Sequence, residues 1–390
     1  MTTLYIDKKG LNASLEGDAI VGREKGQRIG TVPLGPIDRI VLRGEVTVDT
    51  RLLCRCGERE VGILILSGRK QLPTLFLPRG YKDAQRRLIQ YEKSKDPNFC
   101  MRISKKILME KLTSETTFLE GYLSKNLQQQ AALKASSQKI QENFDKLTAA
   151  NNKFALMGIE GESARIYFQA LSLIVSKDLG FNGRNKRPPR APFNAVLSLG
   201  YTILASECTF ACMEHGLDPY ISFLHELDFG RESLSCDLVE PFRTEIDKFS
   251  LSLFLEQKLT VHNFSTTKQG CFMNKEGRTI FYPAFEKLRG ILRKRISHYL
   301  LEIIHEMEST SSEAYRMKEF LICYDISDPK RLNRIAATLT KSCLRLQKSI
   351  FIFKGSSRLF NEVLRQVLTK LDASKDDLRV YEITTEIQFI

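Results

Sequence analysis

The spacing of apolar residues changes twice along the chain, near residue 81 and near residue 318, and each change marks a different fold class. The first 80 residues carry short β-favouring runs separated by Gly, Pro and Asp, which predicts a small β-sandwich domain over residues 1–80. The predicted strands are Leu4–Ile6, Ala19–Val21, Ile40–Leu42, Val61–Leu66 and Thr74–Leu77. Helical periodicity with few breakers predicts an all-α domain over residues 81–307, in which residues 120–150 form a helix or a helical hairpin.

The last part of the chain alternates strands with helices. The small and polar run Glu308–Ala314 predicts a linker at about residues 308–317, followed by a separate domain at 318–390. The elements predicted there are strands Glu319–Ile326, Ser349–Lys354 and Leu378–Ile383 and helices Lys330–Leu346 and Ser357–Leu371. Because Leu344–Phe353 can split into a hairpin, the pattern predicts a ferredoxin-like βαββαβ domain in a multidomain α+β protein.

The charge balance favours a polyanionic partner. Lys and Arg exceed Asp and Glu by 59 to 46, which gives a net charge of +13, and a membrane surface is the rival partner. No apolar run approaches the roughly 20 residues of a membrane span, and the N-terminus has neither a basic opening nor an apolar signal core. We therefore expect a cytoplasmic protein. Nine scattered cysteines without regular spacing predict reduced thiols, and the pair Cys208 and Cys212 predicts a buried helical face rather than zinc ligands.

Three acidic residues and one histidine are the candidates for chemistry: Glu160, His225, Asp237 and Glu240. Asp237 and Glu240 are three residues apart, so a helix would place both carboxylates on one face, where a cation would relieve their repulsion. Hard divalent ions prefer oxygen ligands, and a nitrogen from His225 makes Mn²⁺ as suitable as Mg²⁺. Each residue also has an ordinary structural reading: a solvated acidic face, a hydrogen-bonded core histidine, or a glutamate that serves a helix N-terminus.

A basic loop is predicted at residues 180–192, where Pro188, Pro189 and Pro192 exclude a helix. It holds four cations and no acid: Arg184, Lys186, Arg187 and Arg190. The loop either grips a phosphate backbone or is solvated surface.

Several motifs in a fixed order resemble one known family, the CRISPR spacer-acquisition integrase Cas1. They are Gly158-x-Glu160-Gly161-x-Ser163-Ala164-Arg165, Gly183–Arg190, Asn194-Ala195, Leu197–Tyr201, Phe223-Leu224-His225 and Asp237-Leu238-x-Glu240-x-Phe242-Arg243. The resemblance implies that Glu160, His225 and Glu240 bind the metal and that Asp237 falls at an acidic active-site position. It further implies a transesterification in which the 3′-hydroxyl of a captured DNA fragment attacks the edge of a CRISPR repeat. Arg165 and Arg243 could hold phosphates near the metal or pair with Glu162 and Glu240.

The C-terminal segment resembles the small CRISPR partner protein Cas2 in Tyr324-Asp325-Ile326-Ser327-Asp328-x-Lys330-Arg331-Leu332 and Arg345–Phe351. Asp325 ends a predicted strand, at the position that is associated with metal-dependent nuclease activity in stand-alone relatives. A turn-capping role for this aspartate is an equal alternative. Lys330, Arg331 and Arg334 on one predicted helix are better candidates for the DNA backbone. Residues 318–390 hold 13 Lys plus Arg against 9 Asp plus Glu, and the rest of the chain holds 46 against 37, so both parts are basic.

Together the two resemblances predict a fusion of an integrase with its scaffold. Double-stranded DNA, as donor fragment and as repeat target, is the expected partner, and both parts are expected to self-associate into dimers and a higher-order complex. In the family, two integrase dimers flank one scaffold dimer. Two alternatives use the same residues differently: a metal-dependent structure-specific endonuclease with water as nucleophile, or a non-catalytic nucleic-acid scaffold.

Overall fold

The computed structural model describes residues 2–66, 73–78, 84–122, 126–185, 188–310, 317–372 and 374–383, with only the backbone described at Met317 and Arg358. The chain divides into two compact units. The first combines residues 1–82 with 94–301, and the second combines residues 83–93 with 302–390.

Two four-stranded sheets form the N-terminal part of the first unit. Their elements are β1 (Thr2–Asp7), β2 (Leu11–Glu16), β3 (Ala19–Glu24), β4 (Gln27–Pro33), β5 (Ile37–Arg43), β6 (Val46–Val48), α1 (Thr50–Glu58), β7 (Gly62–Leu66) and β8 (Pro73–Phe76). One sheet has the order β1-β5-β7-β8 and the other β4-β3-β2-β6, and apolar residues of both share one buried core. All five predicted strands are present, whereas β2, β4, β6 and helix α1 were not predicted.

Helices dominate the middle of the chain. They are α2 (Gln85–Ser94), α3 (Pro97–Gly121), α4 (Leu127–Ala149), α5 (Lys153–Ile174), α6 (Pro192–Glu214), α7 (Ser233–Val239), α8 (Arg243–Leu255) and α9 (Lys275–Ser309), with a hairpin of β9 (Phe264–Thr267) and β10 (Gly270–Met273) before α9. Side-chain caps fix where the site helices start: Asp96 accepts hydrogen bonds at the N-terminus of α3, and Asn152 does so for α5. A 3₁₀ turn, Glu240–Phe242, follows α7 directly.

Helix α6 corrects one expectation from the sequence. By length and composition alone it is apolar enough to cross a membrane, although no such run was expected. In the structure 78% of its most apolar 18-residue window is buried inside the protein. Its apolar residues therefore serve as the core of the first unit, where Cys208 and Cys212 are buried on one helix as expected. All nine cysteines are free thiols.

Besides most of α2 and the end of α9, the second unit contains a four-stranded antiparallel sheet and two further helices. These further elements are β11 (Met317–Asp325), α10 (Pro329–Leu339), β12 (Leu344–Gln347), β13 (Ile350–Ser356), α11 (Ser357–Leu368) and β14 (Asp377–Ile383), and the sheet order is β12-β13-β11-β14. The predicted helix Lys330–Leu346 is wrong beyond Leu339, because the hairpin alternative forms instead. Glu308 and Ser309 of the predicted linker belong to α9, Met317 begins β11, and residues 311–316 lie outside the described residues.

Candidate active site

Two of the predicted acidic residues meet at one buried lysine. The ammonium of Lys111, on α3, donates to Oε2 of Glu240 at 2.6 Å and also to Oε1 of Glu160. Glu160 lies on α5 and Glu240 opens the 3₁₀ turn after α7, so three separate elements converge here. The Lys111 side chain is only 4% exposed. The fold thus brings Glu160 and Glu240 together, as a shared site requires.

Opposite charges set the protonation of this cluster. Burial disfavours the charged form of Lys111, but the carboxylates of Glu240, Glu115 and Glu160 outweigh burial and raise the pKa of the ammonium. Burial likewise opposes ionisation of Glu240, yet Arg243 and Lys111 hold the pKa of its carboxyl well below the usual range. The Nη2 of Arg243 donates to Oε1 of Glu240 at 2.7 Å. Glu240 is therefore a carboxylate at neutral pH, with one cation on each oxygen.

Glu115 belongs to the same cluster and differs from the other two acids. It lies four residues after Lys111 on α3 and is buried, and its Oε2 has no hydrogen-bond partner among the described residues. Burial raises the pKa of its carboxyl to about 8, against the opposing effect of Lys111. Neither Lys111 nor Glu115 was predicted. The available signal was a pair of charged residues spaced i, i+4 on the apolar face of α3 that carries Ile107, Leu108 and Leu119.

Asp237 fixes the backbone and ring of His225. Its Oδ2 accepts hydrogen bonds from the backbone N–H groups of Phe223 at 2.9 Å and Leu224 at 3.0 Å. Its Oδ1 accepts from the backbone N–H of His225 at 3.1 Å and lies 2.7 Å from Nδ1 of the same ring. Because both oxygens are engaged and the residue is fully buried, Asp237 holds the 223–225 segment and directs Nε2 of His225 away from itself.

A further buried acid, Asp247, contacts the site through Tyr201, whose ring lies under Arg243. Asp247, on α8, accepts hydrogen bonds from the hydroxyl of Tyr167 at 3.0 Å and from that of Tyr201. Burial raises the pKa of the Asp247 carboxyl to about 6, opposed by the two tyrosine hydrogen bonds. The guanidinium of Arg243 stacks over the Tyr201 ring at 5.1 Å. Arg243 is thereby locked between Glu240 and Tyr201.

The donor set can be compared with what a divalent metal needs. Two carboxylates and a ring nitrogen whose partner nitrogen is already bonded match the preferences of Mg²⁺ and Mn²⁺. As the side chains stand, no three His, Cys, Asp or Glu residues within the described part of the chain are grouped closely enough to hold an ion. Lys111 lies between the carboxylates instead. The residues therefore fit the metal chemically, provided that the ammonium gives way.

The cations expected to contact DNA fall into two groups. Arg165 and Arg190 are exposed, and Arg165 bonds Gln169 at 3.1 Å rather than Glu162. Arg184 instead turns inward to the carbonyl of Asn185 and the side chain of Asn194, and Arg243 pairs with Glu240. The described part of the 180–192 loop is non-helical up to Pro192, which begins α6, whereas Lys186 and Arg187 lie outside the described residues.

In the second unit Asp325 ends β11 and is exposed, opposite Asp377 of β14. A cavity of about 300 Å³ there is lined by Asp325, Ser327, Ser374, Lys375, Asp376 and Asp377. Arg331 pairs with Asp376 at 2.9 Å, which leaves Lys330 and Arg334 as the exposed cations of α10 among the three predicted.

Comparison with known proteins identifies both parts of the chain. The model of the family CRISPR associated protein Cas1 matches residues 4–287, and that of CRISPR associated protein Cas2 matches residues 317–389. The chain belongs to the Cas1 family and carries a Cas2 domain in the same polypeptide, as the two resemblances predicted.

Individual relatives agree with this assignment. The chain is 33% identical to a CRISPR-associated endonuclease Cas1 of Thermodesulfovibrio yellowstonii over 80% of this chain and 100% of the relative. It is 31% identical to one of Thermus thermophilus over 76% and 84%. Among solved structures, a Cas1 protein from Thermotoga maritima aligns with a TM-score of 0.70 at 24% identity, covering 79% of this chain and 97% of the other. A casposase bound to its integration product aligns at 0.67 and 22%, covering 80% and 92%. These structures share the fold.

Proposed function

We propose that this protein is a CRISPR adaptation integrase with its scaffold fused, which inserts captured DNA fragments at a repeat array by divalent-metal-dependent transesterification. The observation that supports it most is the convergence of Glu160 and Glu240 on one buried cation, in a chain that belongs to the Cas1 family and also carries a Cas2 domain. The structural relative bound to an integration product supports the same reaction class.

Each residue has a distinct part in the proposed reaction. Glu160, Glu240 and His225 would hold Mg²⁺ or Mn²⁺, and the bound ion would supply activation of the 3′-hydroxyl and stabilisation of charge on the leaving oxygen. Asp237 is a positioning residue, since its two oxygens hold the backbone and the ring of His225. Arg243 keeps Glu240 ionised and in place. Exposed Arg165 and Arg190, with Lys330 and Arg334 of the scaffold, would neutralise DNA phosphates.

The strand orders support a finer architecture. Two sheets around one core support a β-sandwich for the N-terminal domain. Dimerisation and contact with the DNA end are the roles that we propose for it from the family resemblance alone. The order β12-β13-β11-β14 with two helices supports a ferredoxin-like scaffold domain. The proposed partners are donor DNA and repeat-target DNA, and the proposed location is the cytoplasm. Asp325 is proposed as a secondary metal site.

A strand-joining assay tests the proposal. The full chain is incubated with end-labelled donor duplex and a repeat-bearing target in Mg²⁺ or Mn²⁺, and joined product is measured. Glu160→Gln, His225→Ala and Glu240→Gln are each expected to lower joining by at least about a hundredfold, and Asp237→Ala by about as much, because His225 loses its orientation. Glu162→Gln is the matched control, since Glu162 is exposed and lies 3.7 Å from Lys146. Normal joining by any of the first three would refute the metal assignment.

The alternative is a structure-specific endonuclease, which the names of the relatives favour. The same assay separates the two. Labelled donor that stays unjoined while branched DNA is cut, with the same residues required, would establish hydrolysis. A wild-type chain that binds the DNA but neither joins nor cuts it would leave the non-catalytic scaffold.

A further inference from the structure

The position of Lys111 raises a question of charge. Glu160 and Glu240 are balanced by Lys111 and Arg243, so the cluster of four is neutral as it stands. A divalent ion bound to the same two carboxylates would add two positive charges next to an ammonium that is 4% exposed. Uncompensated charge at a buried position is costly, so the ammonium and the ion cannot both stay between the carboxylates.

The fold offers Lys111 a second partner within reach. Glu115 lies one turn further along α3, and side chains at i and i+4 of a helix are neighbours. Its buried Oε2 has no hydrogen-bond partner among the described residues, although such an oxygen normally accepts one. An ammonium that reached Oε2 would supply the missing hydrogen-bond donor.

We propose that Lys111 is an internal counter-cation that holds Glu160 and Glu240 together in the metal-free protein and moves to Glu115 when a divalent metal binds. Lys111 is then a positioning residue, and Glu115 is the place that receives it. The inference rests on the proposed metal-dependent function of the site and adds the residue that controls access of the ion to the two carboxylates.

Binding of Mn²⁺ to the full chain, without DNA, tests the transfer directly. Free Mn²⁺ is counted by its electron paramagnetic resonance signal. Lys111→Met removes the competing cation and is expected to bind Mn²⁺ at least about tenfold more tightly, whereas Glu115→Gln removes the receiving site and should bind several-fold more weakly. Lys105→Met, on the same helix, is the control with unchanged affinity, because the half-buried Lys105 donates to the carbonyl of Thr148 and not to the acidic cluster.

The double variant Lys111→Met with Glu115→Gln distinguishes transfer from simple electrostatic attraction. If Glu115 acts by receiving Lys111, its substitution has no effect once Lys111 is absent, and the double variant binds like Lys111→Met. A Glu115→Gln effect of equal size in both backgrounds would overturn the inference, as would unchanged or weaker binding by Lys111→Met. If Lys111→Met does not fold without metal, Lys111→Gln takes its place in the single and double variants, and unchanged affinity of Glu115→Gln still refutes the transfer. Failure of the wild-type chain to bind Mn²⁺ through Glu160 and Glu240 would instead refute the proposed function.

Discussion

At the scale of single residues, Glu115 should make stability depend on pH. The folded protein holds the pKa of this carboxyl at about 8, above the ordinary value of 4.5. Between these values the unfolded chain has released the proton and the folded chain has not, so stability falls as pH rises from about 4.5 to 8 and then levels off. Glu115→Gln removes this slope and is expected to stabilise the metal-free protein by on the order of 2 kcal/mol at pH 8, with little change near pH 4.5. Urea unfolding at a series of pH values measures the difference.

The matched control is Glu120→Gln, because Glu120 is an exposed acid on the same helix, with hydrogen bonds to Ser137 and Gln141. Its substitution should leave the pH slope as in the wild type. An equal slope in Glu115→Gln and in the wild type would show that Glu115 ionises normally.

Glu160, Asp237 and Glu240 could be singled out as candidates from the sequence, whereas Glu115 and the cation between Glu160 and Glu240 could not. Glu160, His225 and Glu240 could be recognised as candidates because their motifs stand in an order that resembles the family's. Lys111 could not be recognised, since a lysine on a helix is usually at the surface and its burial depends on contacts 49 and 129 residues away. The role of Asp237 also required coordinates, because only they show three backbone N–H groups bonded to its carboxylate.

At the scale of elements, short strands were easier to predict than the ends of helices. The five predicted strands are present because β-branched runs bounded by Gly and Pro leave few alternatives. The helix predicted to reach Leu346 stops at Leu339, although the apolar spacing continues. Residues 344–347 alternate apolar and polar, which suits a strand as well as a helix, and pairing with β13 decides between them.

Gly62 on β7 marks a close approach between a strand and a helix. A Cβ at this position would lie closer than 3.0 Å to three ring carbons of Phe210 on α6, and that ring is also covered by the Arg39 guanidinium at 4.1 Å. Gly62→Ala is therefore expected to destabilise the protein by about 1–3 kcal/mol, as overpacking of a filled core does. Thermal unfolding followed by circular dichroism measures the change.

Gly30→Ala on β4 serves as the comparison, because nothing lies within 4 Å of a Cβ there. It should change stability little. Equal effects of the two substitutions would mean that strand propensity, and not the Phe210 contact, sets the cost.

At the scale of the whole molecule, ion pairs between residues far apart in the sequence could not be predicted. The N-terminal strands and α9 of the first unit are joined by ion pairs of Arg278 with Asp7 and of Arg293 with Asp38. These partners are 271 and 255 residues apart. One compact unit contains residues 1–80 together with most of residues 81–307, although we expected two separate domains there.

Fusion fixes the ratio of integrase to scaffold at one to one. Four integrase domains around one scaffold dimer, the family arrangement, would leave two scaffold domains over. The seven residues between α9 and β11 can extend over at most about 25 Å, so each spare scaffold domain remains tethered to an integrase domain. We predict a DNA-bound tetramer whose spare scaffold pair adds backbone contacts through Lys330 and Arg334. Native mass spectrometry with donor DNA should give four chains of 44.6 kDa.

A second measurement checks the role of the spare pair. Lys330→Ala with Arg334→Ala should lower the salt dependence of DNA binding, by about 0.9 in the log–log slope for each DNA phosphate that is no longer neutralised. A stable two-chain complex that completes two-ended integration would contradict the predicted assembly.

The pairing of Lys111 and Arg243 with the acidic residues also bears on how the protein is made and stored. Zinc fingers remain unfolded until their ion arrives, because their ligands have nothing else to hold them. Here the carboxylates already have cations supplied by the chain itself. We therefore expect the chain to fold without a divalent ion, so that a chelator would abolish the proposed strand joining without unfolding the protein. On the proposed function, the divalent ion would then be needed for the reaction and not for folding.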